Sequence, residues 1–246
     1  MQMNRRLKLL AEDILRPCPP LFRMASRLYH KTNKKFRTLS PGTPEAIRKA
    51  FQHLIERDGG ITGDYHEFGL FRGYTFLQAW NHRKELGVQD MAMYGYDSFS
   101  GLPPAEGVDA NDARFFEGQF ACSMDEVKKN LEEHGVDLDQ VNFIKGFYED
   151  SLTEELRNQH PFRQASVVLL DCDYYSSTMT ALNWLVPYLG AGSILLFDDW
   201  FSYGDNEELG QQKAFAEFFE KHPQFKPVDL WEFKNFGKAF ILEDAE

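Results

Sequence analysis

From residue 44 to its end the chain alternates short apolar runs with segments of helical spacing, and most of the apolar runs finish on an acid. This constrains the fold more than any single motif, because alternating strand and helix gives a parallel sheet with helices on both faces. The sharpest case is Leu195-Leu196-Phe197-Asp198-Asp199-Trp200. Carboxylates are rarely buried unless paired or bound to a cation. A core strand that ends on two of them needs a chemical reason.

The local signals place the elements. Thr43-Pro44-Glu45 reads as an N-cap, a proline at the first helical position and an acid in the first turn. Ile47, Phe51, Leu54 and Ile55 follow at helical spacing, and Gly59-Gly60 stops the helix. Strands are predicted over residues 65–69, 91–97, 141–145, 166–171 and 193–198. Helices are predicted over 75–86, 153–159, 177–189 and 210–221, and from a Ser123/Glu126 capping box to Gly135. Two closing runs, 225–233 and 238–242, read as a hairpin through Asn235-Phe236-Gly237. The expected fold is α/β: a doubly wound, mostly parallel sheet with a C-terminal antiparallel hairpin strand. Residues 1–43 read as an N-terminal helical arm and 44–246 as one domain.

Charge narrows the partners. Residues 1–37 carry ten Lys/Arg against two acids, whereas the whole chain has a formal charge of −11. The body is therefore strongly acidic, which argues against nucleic acid as a partner. The basic arm suits the acidic body of a second copy, so a homodimer or higher homo-oligomer is expected. Pro17, Pro19 and Pro20 interrupt the arm, so a stable membrane anchor is not. Cys18, Cys122 and Cys172 fit neither a zinc pattern nor a disulfide framework, and a reducing cytoplasm is the expected setting.

Ligands of an open parallel sheet bind outside the carboxyl ends of its strands. Those ends carry Glu67, Asp97, Lys145, Asp171 with Asp173, and Asp198 with Asp199. Gly69 and Gly73 form Glu-x-Gly-x-x-x-Gly between a strand and a helix, which lacks the first spacing of the dinucleotide fingerprint. Asp97 stands where an acid holds ribose hydroxyls. Together they suggest a nucleoside ligand without phosphate, S-adenosylmethionine foremost; the alternative is that the glycines only shape a turn.

The segments Glu67-Phe68-Gly69-Leu70-Phe71-Arg72-Gly73, Asp97-Ser98-Phe99-Ser100-Gly101-Leu102-Pro103, Asp171-Cys172-Asp173-Tyr174-Tyr175-Ser176-Ser177-Thr178 and Asp198-Asp199 occur in this order. They resemble the macrocin O-methyltransferase family, a branch of the class I S-adenosylmethionine-dependent methyltransferases whose relatives act on sugar hydroxyls of macrolide and aminocoumarin antibiotics. The likeness covers about residues 43–242. It implies that Glu67, Gly69 and Gly73, with Thr75 after them, line the cofactor loop. It implies that Asp97 binds the ribose beside Ser98. Gly146, Phe147 and Tyr148 fall at the adenine pocket, although Phe147 replaces the acid that many class I enzymes carry. Asp171, Asp198 and Asp199 match divalent-metal positions, and Asp171 is also the candidate general base.

Physical chemistry supports the metal assignment. Neighbouring strands lie about 4.8 Å apart, so carboxylates at their ends can converge on one ion. Several that close repel unless protonated or neutralised. Oxygen donors without His or Cys suit Mg²⁺, with Ca²⁺ or Mn²⁺ as alternatives. Asp173 is read as a cap for the next helix or as orienting a neighbour, and His66 as structural because it points away from Glu67. Segments 101–122 and 200–210 are read as lids over a small-molecule acceptor, expected to be a sugar hydroxyl. Two rivals remain: a metal-dependent glycosyltransferase built on Asp171-Cys172-Asp173, and a non-catalytic binding protein on the same fold.

Overall fold

The computed structural model describes residues 19–32, 36, 42–111, 114–233 and 236–244. Most of the basic arm, with Cys18, lies outside them, as does Asn235 of the closing turn. Helix α1 (Pro19–Thr32) lies in the arm. Helix α2 (Gly42–Asp58) leads into β1 (Asp64–Phe68), α3 (Tyr74–Glu85) and β2 (Met93–Asp97). After α4 (Met124–Glu133) come β3 (Val141–Lys145), the short helices α5 (Tyr148–Ser151) and α6 (Glu154–Gln159), and β4 (Ala165–Leu170). Then α7 (Tyr175–Leu185), β5 (Ile194–Phe197), α8 (Gly210–Lys221), β6 (Phe225–Phe233) and β7 (Gly237–Asp244) complete the chain.

The sheet order is β3-β2-β1-β4-β5-β7-β6. The first five strands are parallel, while β7 runs antiparallel to both β5 and β6. The order reverses between β1 and β4, the place where an open sheet leaves a crevice at its carboxyl edge. Strand parity sorts the core into two clusters. Tyr65, Val167, Leu169, Ile194 and Leu196 pack with Ile47, Phe51, Phe76 and Trp80 from α2 and α3. Phe68, Val168, Leu170, Leu195 and Phe197 pack with Leu182, Trp184 and Phe218 from α7 and α8. Every residue of β4 is buried, as expected of a strand covered on both faces.

Local rules set the element ends. The Ser123 hydroxyl accepts from the Glu126 N–H and caps α4, and the Thr153 side chain accepts from the Leu156 N–H and caps α6. Helix α7 stops earlier than its periodicity predicts, because Pro187 converts residues 186–188 to a 3₁₀ turn. Thr43 does not cap α2: the helix begins at Gly42, and the Thr43 hydroxyl turns to a tertiary partner. No described helix is long and apolar enough to cross a membrane.

Candidate active site

A cavity of about 370 Å³ opens at the carboxyl edge of the sheet. Among its walls are Gly69, Thr75, Asp97, Ser98, Gly146, Phe147, Tyr148, Asp171, Asp198 and Asp199, all expected from the sequence. Two expected residues, Glu67 and Gly73, do not line it.

The β1 turn shapes the floor. Gly69 has φ 96°, and a Cβ there would lie 1.8 Å from the Asp171 carbonyl oxygen. The turns after β1 and β4 therefore touch backbone to backbone, which only glycine permits. Beyond Gly69, the Leu70 and Phe71 N–H groups donate to Asp97 Oδ2 at 2.8 and 3.1 Å, and the Phe99 N–H donates to Oδ1 at 2.6 Å. Asp97 thus ties the turn after β1 to the turn after its own strand. Burial raises its pKa, against the pull of those N–H groups. Ser98 donates to the Gly101 carbonyl at 2.7 Å and closes the same turn. Phe71, Phe120 and Asp173, all at positive φ, line the cavity, as is common where a site over-determines its backbone.

Glu67 belongs to the layer beneath. It is fully buried and accepts from the Tyr65 and Thr75 hydroxyls, each at 2.6 Å. A carboxylate on the α2 and α3 face of β1 satisfies itself inside the core, so it reaches the cavity only through Thr75. Gly73, with φ 83°, is the N-cap of α3, and a Cβ there would meet Val127 and Leu131. Burial pushes the Glu67 pKa up to about 8, although the Thr75 and Tyr65 hydroxyls pull the other way.

That shift has a sign that can be tested. Between the ordinary 4.5 and about 8, the native state holds this proton and the unfolded chain does not. The stability it contributes is complete below 4.5 and is lost as pH rises to about 8. Buried His66 has the opposite slope between about 3 and 6.5, since burial lowers its pKa to about 3. Denaturant melts are therefore expected to show stability falling between pH 6.5 and 8 in wild type and a flatter profile in Glu67→Gln. Parallel profiles would refute the assignment.

His66 lies on the other face of β1. Its Nδ1 is 2.9 Å from the Tyr96 hydroxyl, and its ring stacks on Tyr94 and Tyr96. Gly146, at φ 146°, turns the chain after β3 toward Phe147. Tyr148 packs edge-on against Phe68, centroids 5.6 Å apart, and donates to the Tyr96 carbonyl at 3.4 Å.

The carboxylates opposite form a set. Asp171, Asp198 and Asp199 each offer an oxygen within 4.8 Å of the others. Asp198 Oδ1 accepts from the Thr43 hydroxyl at 2.6 Å, and Asp199 Oδ1 from the Ser202 hydroxyl at 2.9 Å. Gln211, 1 % exposed, braces them: its amide donates to the Leu170 carbonyl and its oxygen accepts from the Asp199 N–H, both at 2.9 Å. An all-oxygen donor set of this charge fits a hard divalent cation. Asp173 is not one of the three converging carboxylates found among the described residues.

Asp173 does not cap α7 either. The Tyr175 and Ser176 N–H groups donate to the two oxygens of Asp109, at 2.9 and 3.0 Å. Asp109 comes from segment 101–122, so this segment is fastened to the element that follows Asp171. The Arg114 guanidinium donates to the Ser202 carbonyl at 2.5 Å and lies over the Tyr203 ring, joining 101–122 to 200–210. Sequence reasoning missed Asp109, Thr43 and Gln211. Their only signal was a polar residue beside a helix start, and their partners lie 66, 155 and 41 residues away.

Fold and site together define a class I methyltransferase architecture. The solved O-methyltransferase NovP superposes with a TM-score of 0.68 at 23 % identity, covering 81 % of this chain and 79 % of that one. Residues 45–229 match the family model described as Macrocin-O-methyltransferase (TylF), and the chain belongs to that family. Mycinamicin III 3''-O-methyltransferase of Micromonospora griseorubida is 31 % identical over 159 residues, covering 61 % of this chain and 60 % of that one. A tetracenomycin-C rhamnosyl 4'-O-methyltransferase of Streptomyces olivaceus is also 31 % identical, over 57 % of this chain and 54 % of that one. The aligned segments thus span less than two thirds of these curated relatives.

Proposed function

We propose that this protein is an S-adenosylmethionine-dependent O-methyltransferase acting on a sugar hydroxyl of a glycosylated small molecule, with a divalent cation held by Asp171, Asp198 and Asp199. The observation that carries the reading is one cavity bounded on one side by residues 69–72 with Asp97 and on the other by three converging carboxylates. Family membership supports the chemistry, and the two relatives' names support the acceptor class. When bound, S-adenosylmethionine supplies an electrophilic methyl group, and the cation lowers the pKa of the acceptor hydroxyl.

The chain's own residues do the rest. Asp97 has three backbone N–H donors, and a carboxylate has about four lone-pair sites, so one remains for a ribose hydroxyl. Gly146, Phe147 and Tyr148 provide an apolar wall for the adenine. Asp171 takes the hydroxyl proton. Segments 101–122 and 200–210 orient the acceptor, and alignment contributes much of the remaining acceleration.

The test is a pair of measurements. S-adenosylhomocysteine is expected to bind the folded chain by calorimetry and raise its melting temperature. Turnover of a glycosylated acceptor is expected to stop with EDTA and return with excess Mg²⁺. No S-adenosylhomocysteine affinity would sink the methyltransferase reading; EDTA-resistant turnover would sink the cation alone.

A further inference from the structure

The Thr43 hydroxyl, like that of Thr75, which donates to Glu67, serves a carboxylate instead of its own helix. Thr32, Thr178 and Thr180 donate to the carbonyls of Leu28, Tyr174 and Ser176, four residues back, at 2.8, 2.8 and 3.0 Å. Thr43 is the second residue of α2. Its proton goes to Asp198 Oδ1 at 2.6 Å instead. Thr43 and Asp198 are 0 % and 2 % exposed, so bulk water does not compete for the bond. A hydroxyl donating to a carboxylate at this distance is a strong, directional contact.

The helix also docks through apolar contacts. Ala46, Ile47, Ala50, Phe51 and Leu54 of α2 already share a core cluster with Ile194 and Leu196 of β5. That packing sets the position of α2, and with it the position of the Thr43 hydroxyl. Asp198 follows Ile194 and Leu196 in strand parity, which aims its side chain at α2. One carboxylate oxygen is then fixed from behind, at a position set by the apolar core.

We propose that Thr43 is a positioning residue for the cation set: its hydroxyl fixes the Asp198 carboxylate so that it can serve Asp171 and Asp199 on one ion. This rests on the cation reading under Proposed function. It makes the start of α2, immediately after the N-terminal segment, part of the cation site. Partners that orient a metal ligand contribute about 10- to 100-fold in metal affinity.

The test titrates the full-length chain with Mn²⁺, followed by the electron paramagnetic resonance signal of the free ion, with S-adenosylhomocysteine affinity measured in parallel. Thr43→Val keeps the shape and loses the donor; Thr43→Ser keeps the donor. Expected are Mn²⁺ binding about tenfold weaker in Thr43→Val, near wild type in Thr43→Ser, and unchanged S-adenosylhomocysteine affinity in both. A purely structural role would lower the melting temperature without this split. Should Thr43→Val not fold, Thr43→Ala compared with Thr43→Ser isolates the same hydroxyl. Wild-type Mn²⁺ affinity in a folded variant lacking the hydroxyl overturns the role of Thr43 and leaves the cation reading intact. A wild-type chain that binds no Mn²⁺ overturns both.

Discussion

Asp171→Asn is expected to lower methyl transfer by about two to four orders of magnitude while S-adenosylhomocysteine affinity changes little. Asparagine keeps the size of the side chain but carries no charge and takes no proton at neutral pH. On the proposed reading it therefore removes a proton acceptor and a ligand together. Asp198→Asn and Asp199→Asn remove only a ligand, and raising the Mg²⁺ concentration is expected to recover part of their turnover. The same concentration is not expected to rescue Asp171→Asn. Folding should survive, because each change relieves repulsion among three carboxylates whose oxygens lie within 4.8 Å. Steady-state rates against Mg²⁺ concentration, with a confirmed acceptor, decide the matter. An Asp171→Asn enzyme as active as the other two would remove the proton-acceptor role.

Gly69→Ala is expected to be the most damaging change in the cofactor half of the site. The added Cβ would lie 1.8 Å from the Asp171 carbonyl oxygen and 2.8 Å from its carbon. Both are backbone atoms, so no side-chain rotation relieves the clash. The residue also holds φ 96°, which alanine adopts only at a cost. The turns after β1 and β4 would have to part, which displaces the 69–73 loop and Asp171 together. A loss above about 4 kcal/mol is expected, with no measurable S-adenosylhomocysteine binding. Gly73→Ala is the control. There a Cβ meets Val127 and Leu131 side-chain atoms at 3.1 and 3.3 Å, which can yield. Its cost is expected at about 1–2 kcal/mol, set by its left-handed backbone. Thermal melts and calorimetric titration of both variants give the ranking; equal effects would mean that the close approach at Gly69 is not what shapes the site.

The sequence by itself determined the framework. Apolar runs of strand length separated by amphipathic segments placed all seven strands to within two residues at their starts. The parallel-sheet rule then put Asp97, Asp171, Asp198 and Asp199 at one edge before any contact was visible. These features were legible because they depend on local periodicity and on the general position of ligand sites in such sheets. Only the tertiary structure decided which polar groups meet. Glu67 looked like a cofactor ligand from its place beside Gly69, yet strand parity and the hydroxyls of Tyr65 and Thr75 hold it in the core. Asp173 looked like the cap of α7, yet that place is taken by Asp109 from a segment with no regular pattern. Thr43 looked like a local N-cap and instead spans 155 residues to Asp198. A hydrogen bond depends on distances of tenths of an ångström between atoms whose separation along the chain carries no signal. Hydrophobic periodicity fixes which face each element buries, and the packing of those faces then selects the polar partners.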